Sequence, residues 1–555
     1  MQVHFSLNRF GLTVLFLIGP VAAVGQDLPA FPDVAREAGL TLVNVSGGGT
    51  NDYIVEANGN GAAFFDYDND GDMDLLITNG STLTGGSNSG GPMAALYEND
   101  GGAFNDVTTE ARIDSRGWAF AVCVADYDND GHQDFYLTAY GANRLYRNNG
   151  NGTFEERALE AGLADMRWGS NCAFGDHDRD GFVDLYVAHY LDFDVESIAR
   201  RGTEACVYMG TLPVFCGPRG LEATPDVLYR NTGDGTFLDV SASSGISGNA
   251  YFGLGVVFSD FDGDAWPDIY VANDSVPNLL FHNDGGRFEE VGLLSGAALN
   301  LYGTSQAGMG IAVGDYDGDA DMDIYVTNFA DDTNTLYENL GDMFFSDVTA
   351  ASGASRVSRP NVGWGTAFLD LDNDGWLDLF VANGHVYPDI DTLTEASHYR
   401  QPKEVYRNRG DKTFEGITAR LDGDLMTPHS SRGAAFGDYD NDGDIDVVVV
   451  NAGEPPSLYR NDGGNRNHWI GFHLVGTSGN RDAIGARIEI DAGGRTQAGE
   501  VRSGGSYLSH NDMRVHFGLG DVTTVDRVRV RWPGGEIETF DAVDADQYVT
   551  LEEGR

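Results

Sequence analysis

The sequence predicts an all-β chain: a seven-bladed β-propeller followed by a small C-terminal β-sandwich-like domain. Three observations predict it. An Asp-rich loop of the form D-x-D-x-D-x-x-x-D occurs seven times in the 555 residues. Each loop sits between two strand-like runs and is followed by more, and four strands repeated seven times is a propeller signature. Glycine, at 75 residues, is about twice its usual ~7% share, as many short strands joined by tight turns require.

Each repeat reads in the same order. The run before the loop is rich in small residues (GAAFFD, AVCVAD, CAFGD, VVFSD, IAVGD, TAFLD, GAAFGD), which suits an innermost strand crowded around an axis. An apolar run follows the loop, from DLLIT in the first repeat to DVVVV in the last. A third run has the form L-Y-R-N, and a fourth, such as TFEERA, comes after a Gly turn. The fourth run follows a third only six times. The missing copy lies at Phe31-Pro32-Asp33-Val34, so the N-terminal strand is expected to complete the seventh blade and close the ring, which removes exposed edges. The propeller is placed at residues 26–462 and the C-terminal domain at 463–555. In that domain the runs Ile470–Val475, Ala486–Ile490, Gln497–Val501 and Val525–Trp532 read as strands. Its arginines Arg487, Arg502, Arg514, Arg527, Arg529 and Arg531 read as ordinary sheet-surface charge, with docking onto the acidic propeller as the alternative.

The loop spacing points to Ca²⁺, a hard cation that takes six to eight oxygens at about 2.3–2.6 Å. Carboxylates at alternate positions of a tight loop converge on one point. Position seven varies in side chain, so its backbone carbonyl is assigned as the ligand there. The candidate sets are Asp66, Asp68, Asp70, Asp72 and Asp74; Asp126, Asp128, Asp130, His132 and Asp134; Asp176, Asp178, Asp180, Phe182 and Asp184; Asp260, Asp262, Asp264, Trp266 and Asp268; Asp315, Asp317, Asp319, Asp321 and Asp323; Asp370, Asp372, Asp374, Trp376 and Asp378; and Asp438, Asp440, Asp442, Asp444 and Asp446. Gly follows the third Asp in five loops, where it permits a sharp bend. Ala265 and Ala320 stand there in the other two, whose sites are expected to form but to be weaker. The motif is not an EF-hand, because the twelfth-position Glu and the flanking helices are missing.

Charge and cysteines bound the setting. The formal charge is −52, and seven bound dications would still leave the chain strongly acidic, which argues against nucleic acid and anionic membrane as partners. Arg9 followed by the apolar run Leu12–Val24, with Ala23-Val24-Gly25 as a cleavage site, reads as a signal peptide over residues 1–25. The chain is therefore expected to be secreted, extracellular or periplasmic, with no membrane span after cleavage. Cys206 and Cys216 share one Gly/Pro-containing insertion, and a local disulfide is expected between them. Cys123 and Cys172 belong to successive blades, which usually stack about 10 Å apart, so two buried thiols are expected.

Alternation of strand direction places all Asp loops on one face. The longest connections between second and third strands, about 190–226 and 384–404, fall on the other face, and long loops of this kind are usually functional. That face is the expected binding surface, with Tyr208, Phe215, Arg219, His385, Tyr387, Asp389, Tyr399 and Arg400 as candidate contacts. Arg409-Gly410-Asp411 spells an adhesion tripeptide but stands in register with the Gly turns of other blades, so it reads as a turn.

The D-x-D-x-D-G-x-x-D loops and L-Y-R-N…F turns resemble FG-GAP/VCBS-type repeats, as in integrin α-subunit propellers, over roughly residues 30–462. The stretches Asn467–Ile470, Asn480–Ala486, His516–Gly520 and Trp532–Gly535 resemble the ASPIC/UnbV domain. Together with Asn383–Pro388, they are similar to the cartilage acidic protein family and its bacterial relatives. The resemblance implies an extracellular, calcium-binding protein with an adhesion or ligand-binding role toward a protein or glycan, and it brings no family-wide reaction. No H-E-x-x-H, G-x-S-x-G, Walker loop or C-x-x-C occurs. A non-enzymatic exported binding module is the leading reading; a propeller enzyme acting on extracellular polysaccharide, or a scaffold for another secreted protein, are the alternatives.

Overall fold

The computed structural model describes residues 28–83, 91–113, 115–203, 206–356 and 358–555; the signal-peptide reading lies outside them. Six antiparallel sheets have four strands each, hydrogen-bonded in chain order. Blade 2 shows the pattern: Ala119–Ala125, Asp134–Ala139, Arg144–Asn148 and Phe154–Glu156. Its inner strand is wholly buried, while its outer strand buries Phe154 and turns its two glutamates outward, as the shift from small residues to FEE dictates. Each inner strand packs beside the next, from Ala62–Phe65 in blade 1 to Ser431–Gly437 in blade 7, and the last packs beside the first. The result is a seven-bladed ring.

The seventh sheet has three strands of its own, Ser431–Gly437, Asp446–Asn451 and Ser457–Tyr459. The N-terminal segment lies along the third. Val34 N–H donates to the Leu458 carbonyl at 2.8 Å, Arg460 N–H to Pro32 at 3.1 Å, and Asp462 N–H to Ala30 at 2.8 Å. Phe31 fills the position that Phe414 holds in blade 6 and is fully buried. Ring closure thus joins the two ends of the propeller segment through backbone pairing.

Cys123 and Cys172 are bonded to each other, which corrects the expectation of two free thiols. They lie on the inner strands of blades 2 and 3 with Cα atoms 6.0 Å apart. Blades splay outward from the axis, so a spacing typical of sheet faces does not apply at their inner edge. Cys206 and Cys216 form the second disulfide, as expected.

The C-terminal domain has two main sheets. His468–Val475 pairs antiparallel with Val515–Gly520 and parallel with Gln547–Glu552. Arg487–Ala492 lies between Arg495–Glu500 and Arg527–Arg531, with Ile537–Phe540 at the edge. Ile470, Phe472, Ile488, Ile490, Val528, Val530 and Trp532 are all buried in one core. Between two of its strands the domain sends residues 503–512 into the propeller's central channel. There the Ser506 N–H and carbonyl pair with Ile311 of blade 5, the Leu508 carbonyl accepts from Val122 of blade 2, and His510 pairs with Ala62 and Phe64 of blade 1. Asp512 N–H donates to Phe436 of blade 7 at 2.9 Å, and the Ser506 hydroxyl accepts from Thr366 of blade 6 at 3.1 Å. The segment satisfies inner-strand groups that face the axis and have no neighbouring strand.

Candidate functional site

Each Asp loop is built by its first and last carboxylates. The first Asp accepts the backbone N–H five residues on in every loop: Gly71, Gly131, Gly181, Ala265, Ala320, Gly375 and Gly443. These residues all have positive φ, from +74° at Ala320 to +96° at Gly71. Position four is left-handed too, and in the two Ala loops it is Gly263 and Gly318. Those loops have moved their glycine two residues upstream and kept the same path.

The last Asp is fully buried and reads two strands at once. Asp184 accepts Asn231 N–H at 2.8 Å with one oxygen and His177 N–H at 2.9 Å with the other. Equivalent pairs recur in all seven blades. The Asn of L-Y-R-N, held in this way, then reaches the preceding blade. Asn148 donates to Tyr67 O, Asn231 to Tyr127 O, Asn283 to His177 O, Asn339 to Phe261 O, Asn408 to Tyr316 O and Asn461 to Leu371 O, while Asn99 closes the circle on Tyr439 O at 2.7 Å. The loops are therefore stitched to one another around the whole ring.

Whether these residues suit a cation is decided by the second Asp, at loop position three. Asp128, Asp178, Asp372 and Asp440 each keep a buried Oδ1 with no hydrogen-bond partner, at the same place in four loops. A buried carboxylate oxygen left unpaired is costly, and its repetition marks a place made for a positive charge. Burial first, then the Asp482 charge, lifts Asp126 to about 7. Burial and Asp184 lift Asp176 to about 7 as well. Clusters of oxygen ligands within metal-binding distance of one another include Asp66, Asp68 and Asp70, and Asp126, Asp128 and Asp134. The donor set is all-oxygen in most loops and fits a hard dication.

Two features escaped the repeat reading. The residue before the Asn of L-Y-R-N leans over the loop: Arg147 binds Asp128 and Asp130, Arg230 binds Asp178 and Asp180, and Arg407 binds Asp372 and Asp374. His282 takes that place in blade 4, near Asp262 and Asp268, and Glu98 and Glu338 take it in blades 1 and 5. Aligning the third runs would have shown this column. The position-seven side chains do other work. Phe182 and Trp376 pack on the Gly turns at Gly233 and Gly410, so Arg409-Gly410-Asp411 is a blade turn.

The C-terminal arginines correct the surface-charge reading in part. Arg514 donates to Asp438 O and Asn441, each at 2.7 Å, Arg502 to Val313 O at 2.7 Å, Arg487 to Ala320 O, and Arg531 to Gly263 O and Asp260. Arg495 stacks 3.5 Å over Trp376. Arg527 and Arg529 pair within their own sheet, with Asp491 and Glu489, and Arg487 also reaches Glu489 there at 3.3 Å. The domain therefore sits on the Asp-loop face and binds the loops' own carbonyls.

The FG-GAP-like repeat family matches residues 66–137, 126–187, 214–271, 260–326, 321–381 and 387–449, more than half of the chain. The chain belongs to the FG-GAP-like repeat family. The ASPIC and UnbV family matches residues 476–555. Human and mouse proteins named cartilage acidic protein 1 are each 27% identical over 346 residues, 60% of this chain and 49% or 50% of theirs. The Xenopus tropicalis protein of that name is 24% identical over 502 residues, 86% of this chain and 71% of its own. The chain spans about half the length of the mammalian relatives it matches. Among solved structures, the extracellular domain of a putative hybrid two-component system from B. thetaiotaomicron aligns at a TM-score of 0.40 and 11% identity, over 80% of this chain and 43% of that one. An Agrocybe aegerita protein that recognises non-reducing terminal N-acetylglucosamine aligns at 0.35 and 15%, over 65% and 81%.

On the opposite face of the FG-GAP blades, the two long insertions meet. Arg201 pairs with Asp389, and Tyr387 packs 5.2 Å from both Tyr208 and Phe215. Of the expected contacts, His385 is not at the surface: it is fully buried, and burial with the nearby Arg432 charge lowers it to about 3. Phe215 is buried as well. Arg400 is held by Glu454, while Tyr208, Tyr387 and Tyr399 are half-buried and Arg219 is exposed. Beneath them Arg432, fully buried, donates to Ala57, Gly384, His385 and Ser431 carbonyls and stacks 4.4 Å from Trp364. Among the described residues no helix is long and apolar enough to cross a membrane.

Proposed function

We propose that this FG-GAP chain is an exported, calcium-binding propeller that acts as a non-enzymatic ligand-binding or adhesion module for a protein or glycan. The repeated Oδ1 of the second Asp, at loop position three, without a hydrogen-bond partner among the described residues, carries the metal half of this reading. The first, third, fifth and ninth loop positions would hold the ion, with the carbonyl of the seventh. Bound to the folded state only, calcium adds stability that grows with occupancy. Export agrees with both disulfides and with the millimolar calcium that fills weak extracellular sites. The binding half is supported by the two insertions joined by Arg201 and Asp389 on the face away from the C-terminal domain.

EDTA is expected to lower the melting temperature and added calcium to restore it; an unchanged melting curve would remove the metal assignment. A glycan array and a pull-down from culture medium, each paired with a turnover assay, test the other half. Capture without cleavage is expected, whereas shortened polysaccharide would replace this reading with a propeller enzyme.

A further inference from the structure

A cavity of about 130 Å³ opens at the channel mouth on the insertion face. Its walls come from separate parts of the chain. Inner-strand starts supply Leu254, Met309 and Trp364, and the insertions supply Phe215, Gly217, Val386 and Tyr387. Tyr190 and Phe329 complete an aromatic lining, and Asp274 is the one acidic residue in it. Trp364 turns its indole N–H away, onto the Gly384 carbonyl at 2.7 Å, so it offers the cavity carbon surface and no donor.

Asp274 is held in place by hydroxyls. The Tyr190 hydroxyl donates to Oδ2 at 2.5 Å and the Ser275 hydroxyl to Oδ1 at 2.8 Å. No Arg or Lys among the described residues forms an ion pair with it. Arg219, exposed on the insertion, acts on it only as a more distant charge. Each carboxylate oxygen accepts one hydrogen bond and retains a further lone pair. A half-buried carboxylate among aromatic rings attracts a cation on two counts, since rings present negative faces to positive charge and no cationic side chain among the described residues is in contact with the carboxylate. The same features repel anions.

We infer that this cavity binds an organic cation, an ammonium or guanidinium group, with Asp274 as the charge partner and Tyr190, Phe215, Phe329 and Tyr387 as the aromatic wall. The inference rests on the ligand-binding reading and names the chemistry of the ligand's anchoring group.

Calorimetry on the full chain in calcium buffer tests it. The probes are tetramethylammonium, for a small-molecule quaternary ammonium, and N-acetyl-arginine amide, for a side chain of a protein partner; acetate and N-acetylglucosamine are the controls. Saturable binding of at least one cation is expected, with a loss of roughly tenfold in Asp274→Asn. Phe329→Leu, which keeps an apolar side chain but removes the ring, should weaken the same cation while the melting temperature changes little, because Phe329 is only half-buried. No saturation by either cation, or equal affinity in Asp274→Asn, overturns the inference. Binding of N-acetylglucosamine alone overturns it while leaving the ligand-binding reading intact. Cleavage of polysaccharide removes that reading instead.

Discussion

Ala265 and Ala320 show how a single side chain is carried by its loop. Both sit at φ of about +75° (+75° and +74°), where an L side chain crowds its own backbone by about 1–2 kcal/mol. The Asp260 and Asp315 carboxylates hold them there through the Ala N–H groups at 3.0 Å. Ala265→Gly is therefore expected to stabilise the chain by about 1 kcal/mol in a denaturant titration; a loss of stability would show that the methyl group makes a needed contact. Lys403 presents a different strain. It is buried, its ammonium lies 5.1 Å from the Tyr459 ring, and its one acceptor among the described residues is the Thr427 carbonyl at 3.5 Å. Burial pulls it down to about 7 from the ordinary 10.5. The folded state then binds fewer protons than the unfolded chain between those values, so stability rises with pH across that window. Lys403→Met should raise the melting temperature at pH near 7, with the gain fading as pH approaches 10.5. A gain that is the same at both ends would mean that the lysine keeps its ordinary affinity for the proton and stays charged in the folded protein.

At the scale of the element, the blade is held by the Asp–Asn pair rather than by its strands alone. Asn231 donates to Tyr127 O of the neighbouring blade at 2.8 Å and to Val183 O at 3.2 Å, and it accepts Gly233 N–H at 3.0 Å. Asn231→Ala leaves two carbonyls and an amide without partners, and a cost of about 2–4 kcal/mol is expected. A change below about 0.5 kcal/mol would show that water replaces the latch. The Asp column and the strand order were legible in the repeats, because each copy repeats the same local geometry. The Asn column was legible too, but only as a turn marker. Its bond to the preceding blade links residues about 80–100 positions apart, such as Asn148 with Tyr67, and no local pattern encodes that pairing.

For the whole molecule, the channel segment joins the two domains into one body. A Cβ on Gly61 would stand 1.7 Å from the Leu508 carbonyl, and Gly61 has no positive φ that would otherwise demand glycine. Gly61→Ala is accordingly expected to destabilise the chain by more than about 2 kcal/mol and to speed hydrogen exchange in residues 503–512. If the variant melts normally with an unchanged exchange pattern, the segment does not fill the channel in solution. The sequence by itself determined the seven repeats, the strand order within each, the acidic loops on one face and the supply of the last strand by residues 31–34. These are properties of periodic, local spacing and of a count that leaves one strand over. Only the tertiary structure decided the Cys123–Cys172 bond, the docking of Arg487, Arg514 and Arg531 onto the Asp loops and of Arg502 onto the inner strand of blade 5, and the burial of Tyr507 against Trp364 at 4.8 Å. Each depends on how close the inner edges of the blades come around the axis and on what fills the space they leave. That distance is set by the packing of all seven blades together, and no single repeat contains it.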